Sequence, residues 1–400
     1  MTIGSEVPVQ PSASVSRHYG LDWLRIGAFL LLMLYHAGMV FVTGTWIVKT
    51  AQPIQWLAYP MLFITPWRLT VLFIVSGYAA RALLGKLRGT GRFARERTKR
   101  LIIPLLFAMA VIIPPQSWVN LRFNHGYTHG FGHFMMHDWL IFGQYDHVTL
   151  PGWEHLWFVF YLWLFTIALV AGLTLLTQQT RDRLTQAFES LGTGWRLLWV
   201  PLIYFVPIRV AITFTTGESH GLFNDWLTDA IHFPAFLFGF GLAGSTTLWP
   251  ALGRVWRPAL ALGLASFVVL VAIEVAYPGT MTPPHGTMAL NRAALACMMW
   301  GMALVMLHAA TAFLNHDHRW RATLSVAIFP FYIIHQTAIV LIAWWLLPLG
   351  LPPLAEAAII ITGTATSCAL FYVVGGRLAW LRPLIGLSRV TLPAPAAAAP

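Results

Sequence analysis

The chain has 400 residues, 58% of them hydrophobic and 10% charged, with a formal net charge of +11. With a mean hydropathy of +0.67, this composition excludes a soluble globular domain, and the positive charge reads mainly as membrane topology. Nucleic-acid binding, which needs a basic face on a soluble fold, is excluded with it.

Residues 1–17 carry no basic n-region and no small-residue cleavage site after a short apolar core, so a disordered cytoplasmic N-terminus and a retained first anchor are expected. Spanning a hydrocarbon core takes roughly 20 apolar residues per helix. Segments that qualify run over 23–43, 56–84, 101–120, 155–177, 197–215, 230–248, 258–277, 289–313, 323–347 and 355–381. The expected fold is therefore all-α: a polytopic integral membrane protein of about ten transmembrane helices, both termini cytoplasmic. Loop charges support that orientation. Lys86, Arg88, Arg92, Arg95, Arg97, Lys99 and Arg100 crowd one loop, while only Lys49 and Arg122 fall in loops on the other side. Residues 18–388 read as one transmembrane domain, followed by a low-complexity cytoplasmic tail over 389–400. Cys297 and Cys368 both sit in predicted helices, so neither a disulfide framework nor a thiolate metal site is expected.

In chain order, the first segment holds Asp22, Arg25 and His36. On a helix Arg25 and His36 are separated by about 16 Å of rise but only ~20° of azimuth, and Asp22 lies about 40° from His36. All three look one way. Ionisable groups at membrane depth are costly and face a wet cavity or a polar partner, so His36 is a candidate general base. The bland alternative is an Asp22–Arg25 ion pair at i,i+3 with His36 bonding another helix. The second segment carries Arg68 and then Ser76-Gly77-Tyr78, whose small residues equally suit close helix packing. Arg97 and Arg100, at i and i+3 before Pro104, share one face at the start of the third helix. Guanidinium groups there suit phosphate contacts, or the loop merely sets topology.

The outer stretch 121–154 carries His125, His129, His133 and His137 at four-residue spacing, then His147 and Glu154. Gly126, Gly130 and Gly132 argue against a continuous helix, the spacing matches no strong metal signature, and no metal is expected. His155-Leu156-Trp157-Phe158, entering the fourth segment, is the better candidate for a site facing an outside substrate, although a His beside Trp also suits an interfacial anchor. Arg209, Glu274, Arg292, His308 and His335 are further intramembrane polar positions, and His335 is the most deeply placed.

Taken together, these residues resemble the acyltransferase-3 family of multi-spanning membrane acyltransferases. Leu21-Asp22-Trp23-Leu24-Arg25 with His36 matches the family's Arg-x10-His. Arg68 followed by Val71 to Tyr78, Arg97-x-x-Arg100 before Ile103-Pro104-Leu105, His155-Leu156-Trp157-Phe158, Arg209 and Tyr332-x-x-His335 follow in the family's order. Within the family, the branch that succinylates periplasmic glucans is the most similar. Glu154 before His155 and the His-rich 125–147 segment depart from that pattern.

The resemblance implies transfer of an acetyl or succinyl group from cytoplasmic acyl-CoA, a co-substrate, to a hydroxyl of a periplasmic or cell-surface glycan. It implies a multi-pass protein of a bacterial-type inner membrane. His36 carries over as catalytic, with Arg25, Asp22, His155 and His335 around it. Arg97 and Arg100 carry over to the donor, with Lys99 and Arg95 as basic neighbours for its phosphates. Arg68, Ser76, Tyr78, Trp157 and Arg209 become substrate-binding candidates. The lipid bilayer is a partner, and homo-oligomerisation stays open. The rival reading is a transporter or flippase of a sugar or lipid-linked sugar. It calls for broken helices in corresponding halves, and no inverted repeat is evident in the sequence.

Overall fold

In the computed structural model, residues 18–87, 89–146, 148–215, 225–279 and 281–388 are described. The expectations for segments 1–17 and 389–400, and for Arg17, Arg88, His147 and Arg389, lie outside the described residues. The described chain is helical almost throughout. Helices α1 (Tyr19–Met39), α2 (Ala58–Leu87), α3 (Thr90–Val111) and α4 (Pro114–Asn124) are followed by a short α5 (Phe131–His133). A hairpin of β1 (Gly143–Tyr145) and β2 (Val148–Leu150) comes next, with Gln144 opposite Thr149. Helices α6 (Trp157–Leu175), α7 (Gln178–Glu189), α8 (Arg196–Thr215) and α9 (Trp226–Leu242) precede the four long helices α10 (Leu248–Ala276), α11 (His285–Phe313), α12 (Arg321–Leu346) and α13 (Pro353–Arg377).

Six helices are long and apolar enough to cross a membrane, or up to eight if each of two bent pairs counts as one span. The bent pairs are α3 with α4, turning by 47°, and the α7 region with α8, turning by 114°. The expected ten therefore exceeds what length and composition support among the described residues. Two of the shortfalls have plain causes. Helix α9 has only 17 residues, about 26 Å of rise against a core of about 30 Å. In α1 the apolar run is diluted by Asp22, Arg25 and His36.

The bundle closes tightly where glycines let backbones touch. Helices α2 and α9 cross at Gly77 and Gly239: a Cβ on Gly77 would lie 1.9 Å from the Phe236 carbonyl oxygen, and one on Gly239 1.8 Å from that of Ile74. In a bilayer, where lipid tails are as apolar as leucine, such packing rather than hydrophobic burial brings helices together. The Ser76-Gly77-Tyr78 run is thus a packing seam. Gly77→Ala is expected to destabilise the bundle by about 2 kcal/mol or more through overpacking, read as a lowered unfolding temperature in detergent. An unchanged midpoint would mean the seam can yield.

Helices α1 and α12 run parallel, and polar contacts set their register. Asp22 Oδ2 accepts from Arg321 Nη1 at 2.8 Å, and the buried Arg321 also reaches Asp317 through Nε at 2.7 Å. Three residues on, Arg25 Nη2 donates to the Ser325 carbonyl at 3.1 Å. Asp22 thus reaches α12 as well as lying one turn from Arg25 on its own helix. From Arg25 to His36 α1 rises about 16 Å, and from Ser325 to His335 α12 rises about 15 Å. The pins at one end therefore bring the two histidines level at the other.

Candidate active site

Three imidazoles from three helical elements meet inside the bundle. His36 Nδ1 lies 2.8 Å from His335 Nε2, and the rings are stacked at 5.1 Å between centroids with 19° between planes. His335, fully buried, turns its Nδ1 onto the Tyr332 carbonyl at 2.7 Å. His155 places Nε2 on the same carbonyl at 3.0 Å, with Ile333 O at 3.3 Å, and the Tyr332 hydroxyl donates back to the His155 carbonyl. The three rings lie within 6.3 Å of one another, centroid to centroid.

The carbonyl decides the tautomers. A carbonyl oxygen only accepts, so His335 Nδ1 must carry the proton, and with neutral rings its Nε2 offers a lone pair. His36 Nδ1–H then donates to that lone pair, which leaves His36 Nε2 unprotonated. The arrangement Tyr332 C=O, His335, His36 holds one imidazole in the tautomer and orientation a general base needs, the role a carboxylate plays in Ser-His-Asp hydrolases. His155 is fixed likewise, Nε2–H on the carbonyl. Its buried Nδ1 has no hydrogen-bond partner among the described residues.

Two cavities meet at this cluster, both lined by His36, His155 and Trp157. The larger, about 900 Å³, is roofed by the β1–β2 hairpin and reaches Asn120, Trp153, Glu154 and Gln336. The smaller, about 300 Å³, holds Arg68, Arg209 and His232 with Tyr35 and Thr65, and among the described residues no Asp or Glu lines it. The Arg68 guanidinium lies 3.4 Å above the Tyr35 ring centroid and donates to Thr65 Oγ1 at 3.2 Å. A group reacting at His36 is thus approached from a polar, hairpin-covered side and from a cationic side.

Of the residues singled out in the sequence, His36, His155, His335, Arg68, Trp157 and Arg209 converge here. Asp22 and Arg25 do not; they join α1 to α12 at the far end. Ser76 and Tyr78 line neither cavity, and the Tyr78 ring instead sits beside His18 and Trp249, at 6.2 and 6.1 Å. The Arg97 and Arg100 side chains part company. Arg97 points inward, Nη2 at 3.5 Å from Thr166 Oγ1, whereas Arg100 is exposed and paired with Glu96 at 3.0 Å. Arg95 and Lys99 are exposed beside it.

Sequence reasoning missed His232, which stacks on Phe73 at 4.7 Å, and the placement of Glu154 and Gln336. Only the Tyr332-x-x-His335 spacing hinted that a carbonyl one turn back could steer His335. In the outer segment His129, His133 and His137 stack in sequence at 4.2 and 4.5 Å, and His125 meets Asp146 at 2.9 Å. No group of three or more His, Cys, Asp or Glu fit to hold a metal occurs among the described residues.

Beyond α1, Lys49 Nζ donates to the Met39 carbonyl at 2.7 Å, placing a cation at the helix C-terminus. Burial pushes this amine down to about 8. A lysine depressed on folding carries fewer protons in the folded than in the unfolded chain between about pH 8 and its ordinary value, so stability rises with pH across that window. Half exposure keeps the effect small. Lys49→Met is expected to flatten the slope of unfolding temperature against pH between 8 and 10, and a slope unchanged by the substitution would assign it to other groups.

Comparison with known proteins identifies the family. The acyltransferase-3 family model, an acyltransferase domain, matches residues 18–373. Glucans biosynthesis protein C of Escherichia coli (strain SMS-3-5 / SECEC) is 26% identical over 230 residues, 56% of this chain and 57% of that protein. Its namesake from Salmonella schwarzengrund (strain CVM19633) is 26% identical over 235 residues, covering 57% and 59%. That of Escherichia coli O17:K52:H18 is 26% identical over 263 residues, covering 63% and 66%. The chain thus matches these relatives over less than two thirds of their length. No solved structure matches it. With the matched residues running from the first helix to the last and enclosing the histidine cluster, the chain belongs to the acyltransferase-3 family.

Proposed function

We propose that the protein is a membrane-embedded O-acyltransferase that moves an acetyl or succinyl group from acyl-CoA to a hydroxyl of a periplasmic or cell-surface glycan. The observation that carries this reading is that His36, its Nε2 left unprotonated by the bond to His335, lines both the cationic cavity and the hairpin-covered polar cavity. His36 Nε2 takes the proton of the acceptor hydroxyl as its oxygen attacks the thioester carbonyl. The tetrahedral oxyanion collapses, the C–S bond breaks, and the imidazolium returns the proton to the departing thiolate. Arg68 and Arg209, in the smaller cavity, supply positive charge for the oxyanion or for the free carboxylate of a succinyl group. Arg97, inward-facing near the basic loop, with Arg100, Lys99 and Arg95 at that loop, meets the phosphates of coenzyme A on the cytoplasmic side.

In this arrangement ten crossings place both termini in the cytoplasm of an inner-membrane protein, with α1 and α9 as the two short or polar-diluted spans. The decisive measurement uses the chain reconstituted in vesicles. Acyl-CoA labelled in its acyl group is supplied on the side of the basic loop and a glucan oligosaccharide on the other. Label on the glycan, recovered at the mass of one added ester, is the expected result. Glycan uptake with no loss of thioester would replace the enzyme with a transporter.

A further inference from the structure

Glu154 departs from every role assigned so far. It lines the hairpin-covered cavity beside His155, and its backbone sits in the left-handed region at φ 44°. A non-glycine residue pays on the order of 1 kcal/mol or more to stay there, and such residues persist where the surroundings over-determine them and cluster at ligand sites. Its Oε1 accepts from Ser117 Oγ at 3.1 Å. Among the described residues no other donor reaches the carboxylate, and no Lys or Arg lines the cavity. A half-buried carboxylate with one satisfied oxygen and no cation nearby is an acceptor waiting for a donor.

The rest of the lining says which donor. Trp153 and Trp157 contribute indole rings to the lining, Trp153 being stacked on Phe160 at 5.1 Å and 22°. Asn120, Gln144 and Gln336 add uncharged polar groups. Aromatic faces match the C–H faces of a pyranose, while a carboxylate and amides match its hydroxyls. With no Lys or Arg among the described lining residues, an anionic sugar is disfavoured.

We infer that the cavity beneath the hairpin binds a neutral, hydroxyl-rich sugar unit, and that Glu154 Oε2 accepts a hydrogen bond from one of its hydroxyls. That contact orients a neighbouring hydroxyl toward His36 Nε2. Glu154 is thus a binding and positioning residue for the acceptor, kept in a strained conformation by Ser117 and the cavity wall. The inference rests on the acyl-transfer reading only for the identity of the hydroxyl that reacts. Occupancy by sugar stands or falls separately.

The test measures sugar binding directly on the full chain in nanodiscs, without donor, by saturation-transfer NMR with a neutral glucan oligosaccharide. The variants are Glu154→Gln and Glu154→Gly. Glycine relieves the left-handed backbone while removing the carboxylate, so its unfolding temperature is expected to stay within a few degrees of wild type. Expected are measurable binding by wild type and at least tenfold weaker binding by both variants. In the transfer assay the same variants raise the KM for glycan at least tenfold, with less than a threefold change in the KM for acyl-CoA. No binding by wild type, or equal binding by Glu154→Gly, would overturn the inference. Preferential binding of a glucosamine oligosaccharide, lost in Glu154→Gln while neutral glucan binding persists, would also overturn it, in favour of an ammonium site. Sugar binding of the expected pattern without acyl transfer would leave this site standing and remove the enzyme reading instead.

Discussion

His36→Ala is expected to lower acyl transfer by about 10²–10⁴-fold, the usual contribution of a positioned general base, while the protein inserts and folds normally. The side chain reaches open cavities on two sides, so truncating it leaves space rather than a clash. His335→Ala acts through His36. Without an acceptor at His335 Nε2, the His36 Nδ1 proton loses its partner, and the tautomer that leaves Nε2 free is no longer imposed. The expected outcome is a kcat reduced on the order of 10²-fold, with both KM values within threefold of wild type. His335→Gln, which offers a carbonyl oxygen to the Nδ1–H, restores part of it. Nitrogen-15 NMR of labelled histidine separates this from general damage: His36 should be in the Nδ1–H form in wild type and mixed in His335→Ala. Full turnover in His36→Ala would end the imidazole mechanism, and an unshifted tautomer in His335→Ala would end the relay.

The second large effect is expected at the opposite end of α1. Arg25→Ala removes the bond to the Ser325 carbonyl, and Asp22→Ala leaves the buried Arg321 with the Asp317 carboxylate and the Tyr19 ring. Breaking a buried ion pair costs about 3–5 kcal/mol when a charge is stranded. Since Asp317 still faces Arg321, Asp22→Ala should cost less, on the order of 2–3 kcal/mol, seen as a lower unfolding temperature. Catalysis should suffer more than stability, because a displacement of about 1 Å at the reacting group can cost 10²-fold. Both variants are expected to lose kcat by about that factor with the donor KM unchanged. A donor KM raised tenfold or more in Arg25→Ala would instead put this guanidinium on coenzyme A.

These two expectations share one physical point. The Arg-x10-His spacing looked like a line of chemistry along one helix face, with a cytoplasmic anion site at one end and a base at the other. In the folded chain Arg25 Nη2 bonds a backbone carbonyl of α12, and its distance from His36 matches the distance from Ser325 to His335. The spacing also sets the register between two parallel helices. One helix read alone shows which way its residues point but not what stands opposite.

The same limit explains the other differences. Arg97 and Arg100 share a face by spacing, yet only Arg97 is turned inward to Thr166, while Glu96, one turn before Arg100, holds that guanidinium outside. Ser76 and Tyr78 looked like candidates to touch substrate. The glycine between them is where α9 crosses, and the crossing takes the segment out of both cavities. Glu154 counted only as a departure from the family's pattern, because its importance lies in a backbone dihedral and a cavity wall.

From its sequence alone the protein was determined as a helical membrane chain, with apolar lengths that reflect bilayer thickness and polar residues that the bilayer tolerates only for cause. The order of those residues along the chain was enough to assign the family. Tertiary structure alone decided which of them meet. Hydrogen bonding is directional and short-ranged, so the pairing of His36 with His335, the tautomer it imposes and the meeting of two cavities at the histidine cluster exist only after α1, α6 and α12 have packed.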